Sequence, residues 1–225
     1  MNIILFGPPG AGKGTQANNI VKFFNMHKVS AGDLLRDEVQ KHSDLGSKIK
    51  SLIDKGSFVP DDIIDDLIVK ILSDSGLYNR LVFDGYPRNL NQAKKLNLLL
   101  EKYNQKISCA LSLNVNKEII VKRILGRQTC AKCKLTFNEY FNPSTKKNHI
   151  CDPKFLEKRS DDNEETIVNR FENYLNKTLP ILDFYKDLDL LHQINGMGEI
   201  SAIFEQIRSI LTSLETWLYK SYLYK

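Results

Sequence analysis

Residues Gly7 to Thr15 read Gly-Pro-Pro-Gly-Ala-Gly-Lys-Gly-Thr. They directly follow the apolar run Ile3-Ile4-Leu5-Phe6 and precede a helix-compatible stretch from Gln16 to Phe24. No other feature constrains the fold as tightly. A short buried strand, a glycine-rich loop and a helix form a unit that wraps backbone N–H groups around an anion. The glycines let the backbone approach with no Cβ in the way. The helix aims its partial positive N-terminus at the same point. Lys13 adds a mobile full charge for β- and γ-phosphates. The spacing fits G-x-x-x-x-G-K, with Gly14 in the place usually held by Ser or Thr and Thr15 after it. A plain turn needs one glycine and no lysine, so the pattern predicts a phosphate site.

The chain of 225 residues fits one core with an inserted subdomain. Hydrophobic residues at 42% and charged residues at 26% describe an ordinary globular protein. No apolar run is long enough for a membrane-spanning helix. The N-terminus enters a strand without a basic region and cleavage site, so a cytoplasmic location is expected. Net charge is +5, from 32 basic and 27 acidic residues. A cleft lined with arginines for phosphates accounts for that excess, and no aromatic-basic module points to nucleic acid. Four cysteines in such a chain argue for metal or free thiols rather than disulfides.

Strands are expected at Asn2–Phe6, Lys28–Ser30, Arg80–Phe83, Ser108–Asn114 and Leu190–Ile194. Helices are expected at Lys13–Phe24, Gly32–Lys41, Leu45–Lys55, Asp61–Leu77, Leu90–Tyr103, Lys117–Leu125, Glu164–Leu188 and Glu199–Leu214. This alternation predicts an α/β fold with a five-stranded parallel sheet flanked by helices. Ligands then bind at the carboxyl ends of the strands. Two segments break the alternation. Residues 30–72 read as consecutive helices, a flap; residues 128–158 hold three cysteines, Pro143, Pro153 and several aromatics, a small separate unit. The aromatic tail from Glu215 to Lys225 reads as a helix extension packing on the sheet, with a membrane-surface or partner-binding tail as the alternative.

A second constellation is Arg80-Leu-Val-Phe-Asp-Gly-Tyr-Pro-Arg88. Asp84 at a strand end is placed to hold magnesium through water. Gly85 and Pro87 force a turn that throws Arg88 toward the phosphates. Arg36, Arg123, Arg127, Arg159 and Arg170 are further candidates, because positive forks stabilise the charge spread over a transferring phosphoryl group. Arg123 and Arg127 are four apart and are expected on one helix face. Asp33 is read as a helix cap, with water-mediated magnesium as the alternative.

These motifs, taken together, resemble the adenylate kinases of the long-lid form. The resemblance rests on residues 7–15, Ser-Ala-Gly-Asp-Leu-Leu-Arg at 30–36, Gly-Ser-Phe-Val-Pro-Asp at 56–61 and Asp-Gly-Tyr-Pro-Arg at 84–88. Gln92-Ala93, Gly126-Arg127 and Arg159-Ser-Asp-Asp-Asn-Glu-Glu-Thr166 complete it. It implies a P-loop NTPase-type core at 1–29, 73–126 and 160–214, a flap for the nucleoside monophosphate at 30–72, a lid at 127–159 and a tail at 215–225. It implies reversible transfer between ATP and AMP giving two ADP, with Mg2+, in a monomer. Lys13, Arg88, Arg123, Arg159 and Arg170 would be catalytic. Gly10, Ala11, Gly12, Lys13, Gly14, Thr15, Arg123, Arg127, Thr136, Phe137 and Gly198 would hold ATP. Ser30, Ala31, Arg36, Ser57, Phe58, Val59, Gly85, Tyr86, Pro87, Arg88, Gln92, Arg159 and Arg170 would hold AMP, and Asp161 and Asp162 would hold the closed lid. Ala31 stands where AMP-specific relatives usually carry Thr, and the Ser-Ala-Gly opening also resembles UMP/CMP kinases. Gln92 and the long lid favour AMP.

Cys130-x2-Cys133-x17-Cys151 falls in the lid. Paired thiolates at C-x2-C hold one side of a zinc tetrahedron. Lid-zinc relatives close it with a second pair, but the matching place here holds Lys154. The fourth ligand is left to Asp152 or His149. Cys109, in an apolar strand, is expected in the core.

Overall fold

The structure is a computed structural model describing residues 1–73, 77 and 79–223, with side chains described through residue 218. A parallel sheet forms from β1 (Asn2–Phe6), β2 (His27–Ser30), β3 (Leu81–Asp84), β4 (Ile107–Asn114) and a last strand at Leu191–Asn195, in the order β2-β3-β1-β4-last. All five expected strands are present, displaced by one residue at most. Every residue of β1 is buried, which is why it reads as an unbroken apolar run.

Alternate strand residues feed two core layers. Ile3, Leu5, Val82 and Leu111 pack under α1 (Lys13–Phe24) and the C-terminal helix. Ile4, Phe6, Val29 and Phe83 pack on the opposite side, with Leu96, Ile181 and Tyr185. Register then positions the chemistry. Asp84 lies beside Leu5 on one side and Ser30 on the other. The glycine loop, the flap entrance and the Asp84 turn therefore leave the sheet side by side, next to the point where strand order reverses at β1.

Three consecutive helices, α2 (Ala31–Gln40), α3 (Asp44–Asp54) and α4 (Asp61–Leu72), follow β2 without a strand. The expected continuation of α4 to Leu77 does not form: Ser73 caps the helix, and residues 74–76 lie outside the described residues. After α5 (Leu90–Lys102) and β4, α6 (Lys117–Leu125) leads into a small antiparallel sheet of β5 (Arg127–Cys130), β6 (Thr136–Asn138) and β7 (Leu156–Glu157), ordered β6-β5-β7.

The single helix expected over Glu164–Leu188 is broken in three. α7 (Glu164–Asn173) passes into a π turn at Tyr174–Thr178, and α8 (Ile181–Asp187) begins after Pro180. Proline has no N–H to continue the ladder and clashes with the preceding turn, so the helix widens before it. Leu179 N donates to Tyr174 O at 2.8 Å. After β8 (Leu191–Asn195), α9 (Ile200–Leu223) runs past the expected end at Leu214. Leu211 is buried and Trp217 is 62% exposed; the side chains beyond residue 218 lie outside the described residues.

Candidate active site

The loop at residues 7–12 delivers the N-terminus of α1 with its donors open. α2, α3, α5, α6 and α7 each begin under a Ser or Asn side-chain cap, and α4 and α8 begin after prolines. α1 begins at Gly12 with no side-chain cap and no acid in its first turn. Uncapped N–H groups at a helix start are an anion site. Gly10 has φ +77°, and a Cβ there would lie 2.8 Å from Ile124 Cγ1 and 3.0 Å from Ile120 O. Its bare backbone lets α6 press against the loop. Arg123, on α6, thereby reaches the loop and donates to Ala11 O at 3.2 Å.

Lys13 Nζ folds back onto the loop, donating to Gly7 O at 2.7 Å and Pro8 O at 2.9 Å. Burial pushes its pKa down to about 8; Asp84 opposes the shift, and Arg88, Arg127 and Arg170 reinforce it. Asp84 Oδ2 lies 3.4 Å from where a Cβ of Gly14 would stand, so the acid sits against the start of α1. Among the described residues its carboxylate makes no hydrogen bond or ion pair, and its charge acts on Lys13 and Arg88.

The turn after Asp84 is built by buried side chains. Tyr86 is 1% exposed and its hydroxyl donates to Asp65 Oδ1 at 2.6 Å, while Lys95 pairs with the same acid at 2.7 Å. Burial and then that hydrogen bond raise the phenol's pKa. Tyr86 is thus a core residue whose side chain points away from the cleft. Arg88 Nε donates to Gly85 O at 2.7 Å, its guanidinium lies 5.4 Å from the Phe58 ring centre, and Arg88 O accepts from Thr178 Oγ1 at 2.8 Å. Gln92 is 3% exposed; its Oε1 accepts from Arg88 N at 2.7 Å and its Nε2 donates to Asp61 Oδ1 at 2.6 Å. Ala31 is buried, 3.9 Å from where a Cβ of Gly85 would lie. Ser57 is exposed and Val59 buried.

Ser30, rather than Asp33, caps α2: its Oγ accepts from Asp33 N at 3.2 Å. Asp33 instead pairs with Arg36 at 2.6 Å and Lys28 at 3.2 Å; despite burial, these cations hold its carboxyl well below the usual range. Arg127 also departs from expectation. α6 ends at Leu125, so Arg127 opens β5 and does not share a helix face with Arg123. It grips Asp162 with two hydrogen bonds, through Nε at 2.8 Å and through Nη2. Arg170, carried by α7 and not by residues 127–159, pairs with Asp161. The Arg159 guanidinium makes no hydrogen bond or ion pair among the described residues, while its carbonyl accepts from Asp162 N at 3.1 Å. Burial lowers the pKa of Arg159 and Arg170, with Arg127 the next cause for both and Arg36 contributing to each. Lys13, Arg36, Arg88, Arg127, Arg159 and Arg170 thus sense one another across one cleft. Such a cluster is unfavourable until an anion joins it.

The flap is docked on α7. Thr166 Oγ1 donates to Asp54 O at 2.9 Å, Asn169 Nδ2 to Lys55 O at 3.3 Å and Asn173 Nδ2 to Gly56 O at 3.2 Å. These side chains satisfy carbonyls that the end of α3 leaves open.

Within the small sheet, ligand atoms of Cys130, Cys133, His149 and Cys151 lie within 4.8 Å of one another. A zinc tetrahedron has edges of about 3.8 Å between sulfurs, so a small contraction closes the set. Asp152 is not in it; its carboxylate caps Lys154 N at 2.9 Å. His149 is 5% exposed, its Nδ1 lies 2.9 Å from Ser144 Oγ, and its Nε2 is buried without a partner. That orphan nitrogen is the donor a metal would take. Phe137 is buried against the His149 ring, centroids 4.8 Å apart, so its side chain supports the cluster; Thr136 is half-buried in β6. Cys109 lies in the core, where burial pushes its pKa up to about 12.

An open groove of about 550 Å³ runs along the carboxyl ends of β4 and β8, lined by Asn114, Asn116, Asn195 and Met197. Gly198 follows Met197, and a Cβ there would lie 3.9 Å from Ala202 Cβ, an ordinary contact. Gly196 is the crowded glycine, because a Cβ there would lie 2.6 Å from Val115 Cγ2. Sequence reasoning missed Asp65, Ser144 and Thr178 as supporting groups, and gave Asp61, the last residue of the motif at 56–61, no role of its own. For Thr178 the local signal was Pro180, two residues later.

A family model described as adenylate kinase matches residues 5–190. The chain is 49% identical to an adenylate kinase of Pelagibacter ubique (strain HTCC1062), over 94% of this chain and 99% of that protein. It is 40% identical to an adenylate kinase of Bacillus cytotoxicus and 39% identical to one of Bacillus cereus, each over 95% of this chain and 100% of the relative.

Proposed function

The chain belongs to the adenylate kinase family, and from that premise we propose that it catalyses ATP + AMP = 2 ADP and so keeps adenine nucleotides in balance. The observation that supports the residue roles is that Lys13, at the uncapped start of α1, feels Arg88, Arg127 and Arg170, and that Arg36 and Arg159 act on those arginines in turn. Gly10 to Thr15 cradle the phosphates of ATP. Lys13 leaves the loop carbonyls for the transferring group. Arg123 and Arg127 hold ATP from the lid side, together with Thr136, Phe137 and the backbone at Gly198. Arg36 and Arg88 hold the phosphate of AMP, with Ser30, Ala31, residues 57–59 and the backbone of 85–87 around the nucleoside and Gln92 on the base. Arg159 and Arg170 span both substrates.

AMP's phosphate is already a nucleophile near neutral pH, so the residues need only align two polyanions, spread their charge and keep water out. Magnesium bound with ATP beside Asp84 would neutralise phosphate oxygens. Lid and flap closure excludes water, with Asp161 and Asp162 as the acids that Arg170 and Arg127 hold in the closed arrangement. Residues 30–72 act as the flap, 127–159 as the lid and the remainder to 214 as the core. Cys130, Cys133, Cys151 and His149 hold a structural zinc remote from the phosphates. The protein works as a cytoplasmic monomer; no described helix is long and apolar enough to cross a membrane.

The test is magnesium-dependent ADP formation from ATP with AMP, UMP and CMP in parallel. A strong preference for AMP is expected. A preference for UMP or CMP would mean that Ala31 dominates base choice, and no transfer to any acceptor would refute the assignment.

A further inference from the structure

We propose that Asp61 sets the base specificity of the acceptor site by fixing which way round the Gln92 amide lies. This rests on the reading that Gln92 faces the acceptor base. An amide is nearly symmetric in shape, and a freely turning glutamine accepts either of two opposite hydrogen-bond patterns by rotating. Here rotation is blocked at both ends. Arg88 N–H can only donate, and it meets Gln92 Oε1 at 2.7 Å. The Asp61 carboxylate can only accept, and it meets Gln92 Nε2 at 2.6 Å. Asp61 is itself clamped, because Asn89 Nδ2 lies 2.9 Å from its Oδ1 and 3.0 Å from its Oδ2. Asn89 in turn caps α5, with its Oδ1 accepting from Gln92 N at 2.8 Å. The ring of contacts is consistent in every donor and acceptor, and at its centre Gln92 is buried while Asp61, Arg88 and Asn89 are half-buried, so a mismatch at the amide is costly.

The locked amide keeps one N–H and one lone pair for a ligand. Adenine offers the complement, an amino donor at N6 and an acceptor at N1. Hypoxanthine has the same shape with the pattern inverted, an acceptor at O6 and a donor at N1. Against the locked amide it places acceptor on acceptor and donor on donor. A flipped amide would accommodate it, but the flip would turn Oε1 toward the Asp61 carboxylate and Nε2 toward the Arg88 N–H, and of these two blocks only the Asp61 side chain can be changed by substitution. Asp61 is therefore a positioning residue that makes the site read an amino base and refuse its keto counterpart.

The experiment measures kcat/KM for AMP and IMP with ATP as donor, and binding of each by calorimetry, on the full chain. Asp61→Asn keeps the shape but can donate as well as accept. The AMP-to-IMP ratio is expected to fall roughly 10–100-fold, the worth of one hydrogen bond to a charged group. Use of IMP should rise in absolute terms, which mere loosening of the fold would not produce. Asp61→Glu, still acceptor-only, should keep the AMP preference. If Asp61→Asn does not fold, Asp61→Ser carries the same test through its hydroxyl. Gln92→Leu separates the two readings. A ratio that collapses in Gln92→Leu but holds in a folded Asp61→Asn overturns the role of Asp61 alone. A ratio unchanged in Gln92→Leu overturns the placement of Gln92 on the base, and the Asp61 proposal with it.

Discussion

Raising the pH through 8 should weaken ATP binding through Lys13. In the nucleotide-free chain its Nζ rests on two loop carbonyls, and burial has moved its pKa from 10.5 to about 8. At about 1.36 kcal/mol per pKa unit, that is roughly 3 kcal/mol against the charged amine. The phosphates of ATP reverse the balance by supplying the missing countercharge. Below pH 8 Lys13 is charged with or without ATP, so no proton is exchanged. Above pH 8 the free chain has lost the proton and the complex regains it, so the dissociation constant should rise by up to roughly tenfold per pH unit. For folding, the native chain loses this proton before the unfolded chain does. The contribution of Lys13 to stability therefore rises with pH between about 8 and 10.5. Titration calorimetry in two buffers of different ionisation enthalpy reads the proton uptake directly, expected to approach one per ATP at pH 9. Lys13→Met should abolish that uptake and cost about 10²–10³-fold in turnover. Uptake that survives in Lys13→Met, or none at pH 9 in the unmodified chain, would refute the reasoning.

The lid cluster should bind one zinc, and a chelator should lower the melting temperature as it withdraws the metal; a chain with no metal and an unchanged melting temperature would remove the zinc assignment. Ser144→Ala frees His149 Nδ1 and should weaken zinc about 10–100-fold in a competition assay, whereas an unchanged affinity would show that Ser144 does not orient the imidazole. Gly10→Ala forces a Cβ to 2.8 Å from Ile124 Cγ1 at φ +77° and should cost about 1–3 kcal/mol. A drop of several degrees in melting temperature together with reduced turnover, through displacement of Arg123, is the expected pair; a variant with both unchanged would show that the loop and α6 are not so closely packed.

The strand, glycine loop and lysine at residues 1–15 determined by themselves a buried strand of a parallel sheet and an open helix start at its carboxyl edge, because local sequence dictates both. The C-x2-C pair likewise announced a metal candidate. Local sequence did not decide the breaks and pairings that depend on distant groups. The 164–188 segment has helical periodicity, but Pro180 and the bond from Thr178 to Arg88 O reshape it. Arg123 and Arg127 look like one helix face, yet the helix ends between them and Asp162 takes the second arginine. Tyr86 sits inside a ligand motif but serves the core through Asp65. His149 prevailed over Asp152 because its ring, held by Ser144 and Phe137, turns a buried nitrogen toward three sulfurs, while Asp152 is spent on a local cap. Spacing along a chain fixes which neighbours share a turn, but the partners of Gln92, Lys13 and His149 come from other elements, and only the packing of those elements decides which donor meets which acceptor.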